Sequence, residues 1–203
     1  MSIPFQDSET AKNLLRAFAG ESQARNRYDF AANLCQKQEL QAMAFIFQAT
    51  AKQEQAHAKV FWDHLQALNG QNLPIYGAYP IEGTNRILEL LRAAQHNEHE
   101  EHGSVYPSFA AIATQEGFPE AAASFRQIAA IEQLHGERFG LLADQLESGT
   151  LFVSQIETGW MCLNCGHTQN SLEAPKQCPV CNHGQGWFIR LELAPWSPVV
   201  TQT

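Results

Sequence analysis

The sequence predicts an all-α fold, a bundle of four helices with one long crossover, followed by a small four-cysteine module. Four amphipathic stretches end at about residue 148, a long connection covers residues 69–83, and two Cys-x-x-Cys pairs lie near the end of the chain. The composition changes to Gly, Pro, Trp and Cys after Gly149. We therefore expect two domains, residues 1–148 for the bundle and residues 149–203 for the module.

The first two amphipathic stretches each place an acid inside an apolar stripe. The first is expected to begin in the Asp7–Ser8 region, where a side-chain oxygen can cap free backbone amides, and its stripe contains Glu21. The second ends at Asn69–Gly70, and its stripe contains Glu54 and His57. Steps of three and four residues define both stripes, so these side chains should point into the bundle.

The third stretch carries two acids, Glu98 and Glu101, in a stripe that continues to Val105. Glu101 breaks the symmetry between the two halves of the chain, because the equivalent residue in the first half is Ala24. The second half of the chain therefore carries one more acid on this face than the first. Pro107 lacks a backbone N–H, so the stretch is expected to kink there.

The fourth stretch begins at Pro119, which suits the first turn of a helix, and it repeats the pattern of the second. Equivalent acids and imidazoles recur at a nearly constant separation along the chain, so two antiparallel hairpins would bring them level. In extended form the connection 69–83 spans about 45 Å, the length of about 30 helical residues, so it can run along the bundle. The equivalent pairs are Glu21 with Glu98, Glu54 with Glu132, and His57 with His135.

The acids in the apolar stripes predict a metal centre. A buried, unpaired carboxylate costs many kcal/mol, and no Lys or Arg shares these faces, so a cation is the simplest partner. Di-iron carboxylate bundles use one Glu from each of two helices and a Glu-x-x-His pair from each of the other two. The expected ligands of two metal ions are Glu21, Glu54, His57, Glu98, Glu101, Glu132 and His135.

Parts of this pattern have simpler interpretations when taken alone. A single Glu-x-x-His pair is usually solvated, and a buried histidine is often a core residue without a metal. Two such pairs at one repeat distance, with two further acids in phase, favour a shared site. Tyr28 lies on the acid face, where it either hydrogen-bonds a ligand or packs in the core. His96 and His99 point away from the acids and are expected to face solvent.

The four clustered cysteines predict a second metal site. Cys162, Cys165, Cys178 and Cys181 form two Cys-x-x-Cys pairs with 12 residues between them, which is typical of a tetrahedral four-thiolate ion. A structural zinc ribbon and a one-iron rubredoxin-type centre share these ligands. Iron is favoured beside a di-iron centre because it carries single electrons, and zinc stays possible. Cys35 stands apart and is expected to be a small buried hydrophobe.

Charge and composition argue against several classes of partner. The formal net charge is −8, the sequence pI is about 5.4, and no run of Lys or Arg occurs, so neither nucleic acid nor an anionic membrane surface is expected to bind. The first residues lack the pattern of a secretory leader, and no stretch approaches 18 apolar residues. We therefore expect a cytoplasmic protein.

Several stretches of the chain resemble the rubrerythrin family, in which a ferritin-like di-iron domain is fused to a C-terminal rubredoxin-like domain. The resemblance covers about residues 5–190. It implies that two irons occupy the bundle and that one of them exchanges His57 for Glu101 between redox states. The matching stretches are GESQARNRY, KQEQAH, NEHEEHGSVYPSFA and IEQLHGERF, together with the four clustered cysteines.

The resemblance also implies a function. It points to a peroxidase that reduces hydrogen peroxide to water, with Glu101, His57 and Tyr28 as the expected catalytic residues. Electrons would come from an NAD(P)H-dependent reductase, often through a rubredoxin, into the thiolate-bound iron. A homodimer or larger assembly is implied as well, with the thiolate-bound iron of one subunit near the di-iron site of another.

Two other functions stay open at this point. One is a ferroxidase or iron-storage protein of the ferritin type, which would oxidise Fe(II) with oxygen. The other is a zinc-ribbon interaction protein on a helical scaffold. The four-cysteine module favours the peroxidase over storage, since storage needs no site for electron input.

Overall fold

The computed structural model describes residues 3–195, which fold into a helical bundle and a small sheet. Residues 196–203, the end of the expected module, lie outside the described residues. None of the described helices is both long and apolar enough to cross a membrane. The helices are α1 (Glu9–Lys37), α2 (Gln41–His64), α3 (Ile87–Glu100), α4 (Tyr106–Glu116) and α5 (Pro119–Glu147), and the strands are β1 (Val153–Cys162), β2 (Thr168–Glu173) and β3 (Phe188–Arg190).

The helices form the predicted bundle of two hairpins. α1 packs along α2, and α3 and α4 pack along α5. The turn between α1 and α2 contains Glu39, whose backbone is left-handed with φ of 60°, and Gly117 ends α4 with φ of 87°. Residues 69–86 contain no regular helix or strand and connect the hairpins, so the predicted long crossover between the second and third helices is confirmed.

The N-terminus of α1 is capped from two sides. The Ser8 hydroxyl accepts a hydrogen bond from the amide of Ala11 at 3.0 Å, as predicted. The Glu116 carboxylate accepts hydrogen bonds from the amides of Glu9 and Thr10 at 3.0 and 2.8 Å, and from the Thr10 hydroxyl at 2.5 Å. Burial alone would raise the pKa of Glu116, but these hydrogen bonds outweigh it and lower the pKa below its ordinary value.

We expect Glu116→Gln to reduce the free energy of unfolding at neutral pH by about 1–2 kcal/mol, because a neutral amide is a weaker acceptor for the free amides of α1. The folded-state pKa is lowered, so this stabilisation is present above the unfolded value near 4.5 and is lost as pH falls through the folded value. Urea unfolding of both proteins at neutral pH and at about pH 3 measures the difference. A difference that does not shrink in acid, or an equal loss in the exposed control Glu120→Gln, would contradict this prediction.

A π-helical turn, Glu101–Val105, interrupts the third predicted helix between α3 and α4. The amide of Tyr106 bonds to the carbonyl of Glu101, five residues earlier. The irregularity therefore lies before Pro107 rather than at it, because the wider turn accommodates a residue that has no N–H and whose ring crowds the preceding turn.

The π turn changes which side chain enters the bundle. One extra residue in the turn rotates the following helix by about 100° relative to a regular α-helix. Tyr106 is therefore buried at 1% exposure, in the interior position that the regular pattern assigned to Val105. Val105 is only partly buried at the edge of the core, so its predicted interior position is wrong.

The crossover lies along α1 and is fastened to it by polar side chains. Arg16 donates from Nε to the carbonyl of Tyr76 at 2.9 Å, and the hydroxyl of Tyr79 donates to the carbonyl of Arg16 at 3.0 Å. Further along, Arg27 holds both carboxylate oxygens of Glu82 at 3.0 and 2.8 Å. These contacts place the crossover against the bundle beside the buried acids.

The C-terminal module is a three-stranded antiparallel sheet in the order β2-β1-β3, which was not predicted from the sequence. Trp160 is fully buried inside it. Met161 and Ile189 join the apolar core of the bundle, so the two parts share a packed interface. A Cβ on Gly186 would lie 1.7 Å from the carbonyl oxygen of Glu39, so this interface requires glycine.

Candidate metal centres

The acids of the four helices meet at the centre of the bundle. Two groups of side chains, each with three glutamates and one histidine, have their ligand atoms within 4.8 Å of one another. All of these side chains are buried, with exposures of 6% or less. Glu54 and Glu132 belong to both groups, so they can bridge two ions. The first group is Glu21, Glu54, His57 and Glu132, and the second is Glu54, Glu98, Glu132 and His135.

The hydrogen bonding of these groups fits a pair of bound cations. Most of the buried side-chain nitrogen and oxygen atoms that lack a hydrogen-bond partner within residues 3–195 belong to the predicted ligands, and the others belong to Asn13 and Arg190. The imidazoles of His57 and His135 are the only positively charged groups within ion-pair distance of these carboxylates in the described part of the chain. A carboxylate oxygen buried without a donor is destabilising unless a cation faces it. Imidazole and carboxylate together suit iron and neighbouring transition metals. The atoms of the predicted ligands are Glu21 Oε2, Glu54 Oε1, Glu98 Oε2, both carboxylate oxygens of Glu132, and His135 Nδ1.

The two imidazoles carry the positive charge of the cluster when it holds protons instead of metal. Burial alone would lower the pKa of His57, but Glu132, Glu21 and Glu54 outweigh burial and raise it to about 12. The carboxylates around His135 raise its pKa to about 11 in the same way. Metal ions bind the neutral imidazole, so loading the site must release these protons.

Two tyrosines hydrogen-bond the two glutamates that each belong to only one group. Each tyrosine comes from the half of the chain opposite to that of its glutamate. The hydroxyl of Tyr28 donates to Glu98, and the hydroxyl of Tyr106 donates to Glu21 at 2.5 Å. Burial raises the pKa of Glu21 to about 8 and that of Glu98 to about 7. Tyr28 was predicted from the sequence and Tyr106 was missed, although the separation between them equals that between His57 and His135.

Aromatic side chains close the cluster on both sides with the same repeat. Each tyrosine packs against the two phenylalanine rings of its layer, at centroid distances between 5.1 and 6.0 Å, and Tyr106 also lies 6.3 Å from the ring of Phe109. The separation along the chain between matching members of the two layers is the same for all three pairs. All six rings are buried, so each layer places apolar surface around its tyrosine. One layer is Tyr28, Phe47 and Phe139, and the other is Tyr106, Phe125 and Phe61.

Glu101 lies beside the cluster and outside both groups. Its side chain lines a cavity of about 250 Å³ together with Gly20, Tyr79 and Tyr106. Burial raises the pKa of Glu101 well above its ordinary value, and Glu21 and the other carboxylates of the cluster raise it further. The structure therefore brings six of the seven expected bundle ligands together and places the seventh at the adjoining cavity.

Three further histidines, His96, His99 and His102, lie on or after α3 near the acids. His96 and His99 are exposed, as predicted, although the ring of His99 also rests against Gly136 of α5. His102 was left out of the predicted ligands, and its Nδ1 lies 2.8 Å from the carbonyl oxygen of Ala129. None of these histidines belongs to the two groups.

The four cysteines meet at one point of the module. The sulfurs of Cys162 and Cys181 are 3.7 Å apart, as are those of Cys165 and Cys178, and all four lie within 4.8 Å of one another. A tetrahedron with metal–sulfur bonds of about 2.3 Å has edges of about 3.8 Å. All four are free thiols, so the spacing fits one tetrahedral ion and no disulfide.

Each Cys-x-x-Cys pair forms the same tight loop. The amide of Cys162 donates to the carbonyl of His167 at 2.8 Å, and the amide of Cys178 donates to the carbonyl of His183 at 2.8 Å. Both histidines thus contribute backbone carbonyl groups to the loops. The residues that follow each second cysteine, Gly166 and Asn182, are left-handed with φ of 76° and 60°.

Sequence models of two known domains match the chain. The rubrerythrin model matches residues 12–143, which contain every predicted bundle ligand. The model of the rubredoxin-like domain of rubrerythrin matches residues 160–189, which contain the four clustered cysteines.

Known proteins of similar sequence carry the same name. A rubrerythrin from Porphyromonas gingivalis is 44% identical over 188 residues, which cover 93% of this chain and 92% of the relative. A rubrerythrin from Nitratidesulfovibrio vulgaris is 40% identical over 186 residues, which cover 92% and 96%.

Solved structures agree with this fold. Nigerythrin in its fully reduced, all-ferrous state superposes with a TM-score of 0.60 at 25% identity, over 91% of this chain and 90% of that one. A bacterioferritin from Mycobacterium tuberculosis superposes with a TM-score of 0.61 at 18% identity, over 70% and 88%, which supports the ferritin-like fold alone. The chain belongs to the rubrerythrin family, and it combines a glutamate–histidine site for two metal ions with a rubredoxin-like four-cysteine site.

Proposed function

We propose that this protein is a non-haem di-iron peroxidase that reduces hydrogen peroxide to water. Two irons bound in the bundle would each supply one electron for cleavage of the O–O bond, and an iron in the four-cysteine site would return electrons one at a time. The observation that carries the proposal is that one chain contains both a four-thiolate site and a buried cage for two ions. The cage consists of Glu21, Glu54, His57, Glu98, Glu132 and His135. Reduction of one peroxide takes up two electrons and two protons and releases two waters.

The cavity beside Glu101 supports a route for peroxide to the cage. Tyr106 lines this cavity and donates its hydrogen bond to Glu21, so the cavity adjoins the metal group that contains His57. A larger groove of about 740 Å³ lies between the outer faces of α1 and α2, where Phe18 and Trp62 line it, and it contains no residue of the cage. The smaller cavity is therefore the proposed approach.

The proposed roles of the chain's own side chains follow from their positions. Tyr28 and Tyr106 hold Glu98 and Glu21 in place through their hydroxyl groups. Glu101 stands between the cavity and the cage, where it can deliver a proton to a departing oxygen. From the same place it can replace His57 as a ligand when the oxidation state changes.

An NAD(P)H-dependent reductase, acting directly or through a rubredoxin, is the proposed electron donor. Exposure of Cys165 supports this proposal because a protein donor can approach the thiolate site closely. Val180, in the other Cys-x-x-Cys loop, is 66% exposed and offers an apolar contact for such a donor. We propose that the protein works in the cytoplasm, as a homodimer or larger assembly.

The choice of oxidant tests the proposed function directly. The reduced, iron-loaded protein is mixed with peroxide or with oxygen in a stopped-flow instrument, and the return of iron absorption is followed. We expect peroxide to react faster than oxygen at equal concentration. Faster oxidation by oxygen, with iron retained in a mineral form, would favour the ferroxidase instead. Zinc in the four-cysteine site of the native protein, with an empty bundle, would favour the interaction protein.

We expect Glu101→Ala to slow oxidation by peroxide by about 100-fold, the typical contribution of a general acid. The bundle should stay folded and keep two irons, because Glu101 lies outside both ligand groups. Stopped-flow rates, iron content and circular dichroism measure the three quantities. Glu137→Ala, an exposed acid on α5, is the control and should change none of them. An unchanged peroxide rate in Glu101→Ala would reject the proposed role.

A further inference from the structure

The two imidazoles of the cage differ at the ring nitrogen that faces away from the glutamates. The Nε2 of His135 lies 3.0 Å from Oε1 of Gln53, a side chain of α2. In the described part of the chain, no hydrogen bond reaches the Nε2 of His57. His135 is also more completely buried than His57, with exposures of 1% and 6%.

The two halves of the repeat differ at the position from which this hydrogen bond is made. Gln53 lies four residues before His57, and Ile131 lies at the equivalent position, four residues before His135. Gln53 reaches across to the histidine of the other half. Ile131 has no polar side-chain atom, so it cannot do the same for His57.

A hydrogen bond at this nitrogen fixes how an imidazole can bind a metal. When Nε2–H donates to an amide oxygen, the proton is held there, and Nδ1 keeps its lone pair toward the glutamates. The ring also loses freedom to rotate. Outer hydrogen bonds of this type typically contribute about 10- to 100-fold to metal affinity. His135 has this support, and His57 lacks it.

His57, the imidazole without a hydrogen bond at Nε2, belongs to the metal group that adjoins the cavity lined by Glu101. Glu101 and Tyr106 line the same cavity, and Tyr106 holds Glu21, which belongs to the metal group of His57. The incoming carboxylate and the less constrained histidine thus lie at the same end of the cage.

We propose that Gln53 is a positioning residue that keeps His135 on its metal in both oxidation states, while Ile131 leaves His57 free to exchange with Glu101. The exchange of His57 for Glu101 is part of the proposed function, so this half of the inference rests on that function. The asymmetric hydrogen bond is independent of that function, so the two parts are tested separately.

Imidazole N–H exchange in the zinc-loaded protein tests the hydrogen bond without any redox chemistry. Long-range ¹H–¹⁵N spectra should show an Nε2–H on His135 that exchanges at least tenfold more slowly than that on His57. Gln53→Met should abolish this protection, and Gln53→Glu, which keeps an acceptor oxygen, should preserve it. Gln55→Met, an exposed change on the same helix, is the control. Equal exchange rates for the two histidines in the unaltered protein would overturn the proposal.

Ile131→Gln tests whether the missing hydrogen bond permits the exchange. Crystal structures of the iron-loaded protein, oxidised and reduced, report whether His57 moves. In the unaltered protein we expect His57 to move between the two oxidation states. In Ile131→Gln, His57 should stay on its metal in both states. In Gln53→Met, His135 should become mobile. If His57 moves equally in Ile131→Gln, the positioning role is wrong, whatever the peroxide rates show. Slow peroxide turnover in the unaltered protein, with these structural changes intact, would reject the peroxidase and leave the positioning role standing.

Discussion

Glu54→Gln is expected to lose both bundle irons, whereas Glu21→Gln is expected to lose only one. Glu54 belongs to both ligand groups and Glu21 to the first alone, while both side chains are buried to the same degree. The amide has the shape of the carboxylate but lacks its charge, so neither change should create a cavity. Each missing negative charge leaves the remaining ligands less able to offset a divalent cation.

Iron analysis after anaerobic reconstitution measures this difference. About three irons per chain are expected in the unaltered protein, about two in Glu21→Gln and about one in Glu54→Gln, the last being the four-cysteine iron. Melting temperatures provide a second readout, because an ion that binds only the folded chain raises the melting temperature. Chelation should therefore lower the melting temperature of the unaltered protein and leave the bundle of Glu54→Gln unaffected. Two retained bundle irons in Glu54→Gln would show that the shared carboxylate is dispensable.

Cys165→Ser is expected to separate the two halves of the proposed reaction. Loss of one thiolate removes the tetrahedral four-sulfur site, so turnover driven by NAD(P)H through a reductase should fall by more than about 100-fold. Oxidation of the chemically reduced bundle irons by a single addition of peroxide should stay within about twofold of the unaltered rate, because the cage is untouched.

The control for this prediction is Cys35→Ala, which alters a buried thiol in the bundle core that belongs to neither metal site. It should keep the visible absorption of an iron–thiolate centre, which Cys165→Ser should lose. Full steady-state turnover in Cys165→Ser would mean that electrons reach the bundle without the module, and the proposed path through the thiolate-bound iron would be wrong.

The clustering of the candidate ligands was predictable from the sequence because burial and charge conflict at each of the acids. An acid in an apolar stripe is rare enough to be informative, and a constant repeat distance links Glu54 with Glu132 and His57 with His135. The crossover was predictable from its length alone. The four-cysteine site was predictable because two Cys-x-x-Cys pairs at this spacing are typical of a metal site.

Tyr106 was missed because a helical wheel assumes about 100° per residue throughout. The π turn adds one residue between Glu98 and Tyr106, so a regular wheel placed Val105 in the interior instead. The separation between Tyr28 and Tyr106 is one residue longer than that between Glu21 and Glu98, and this difference marks the extra residue. The insertion was therefore encoded in the spacing, although no single residue type signals it.

Glu101 and Gln53 show a different limit. Periodicity places Glu101 on the acid face, but only the folded structure shows that it lines the cavity and lies outside both ligand groups. Gln53 lies on an exposed part of α2 and carries no sequence signal of its own. Only the distance from Gln53 to His135, a residue 82 positions away, reveals the contact. The sheet of the module was missed because β2 and most of β1 are exposed or only partly buried and β3 has only three residues, so no alternation of buried and exposed residues marks the strands.

The crossed arrangement of ligands and tyrosines has an evolutionary consequence. Each metal group takes a glutamate from the other hairpin, and each tyrosine holds a carboxylate of the opposite half. A gene for one hairpin could therefore have built this site only as a homodimer of two identical chains. Duplication and fusion through the crossover would turn that dimer into a single chain, and from then on the copies could diverge. Residues that have no counterpart across the repeat, such as Glu101 and Gln53, are the differences that only a fused gene could acquire.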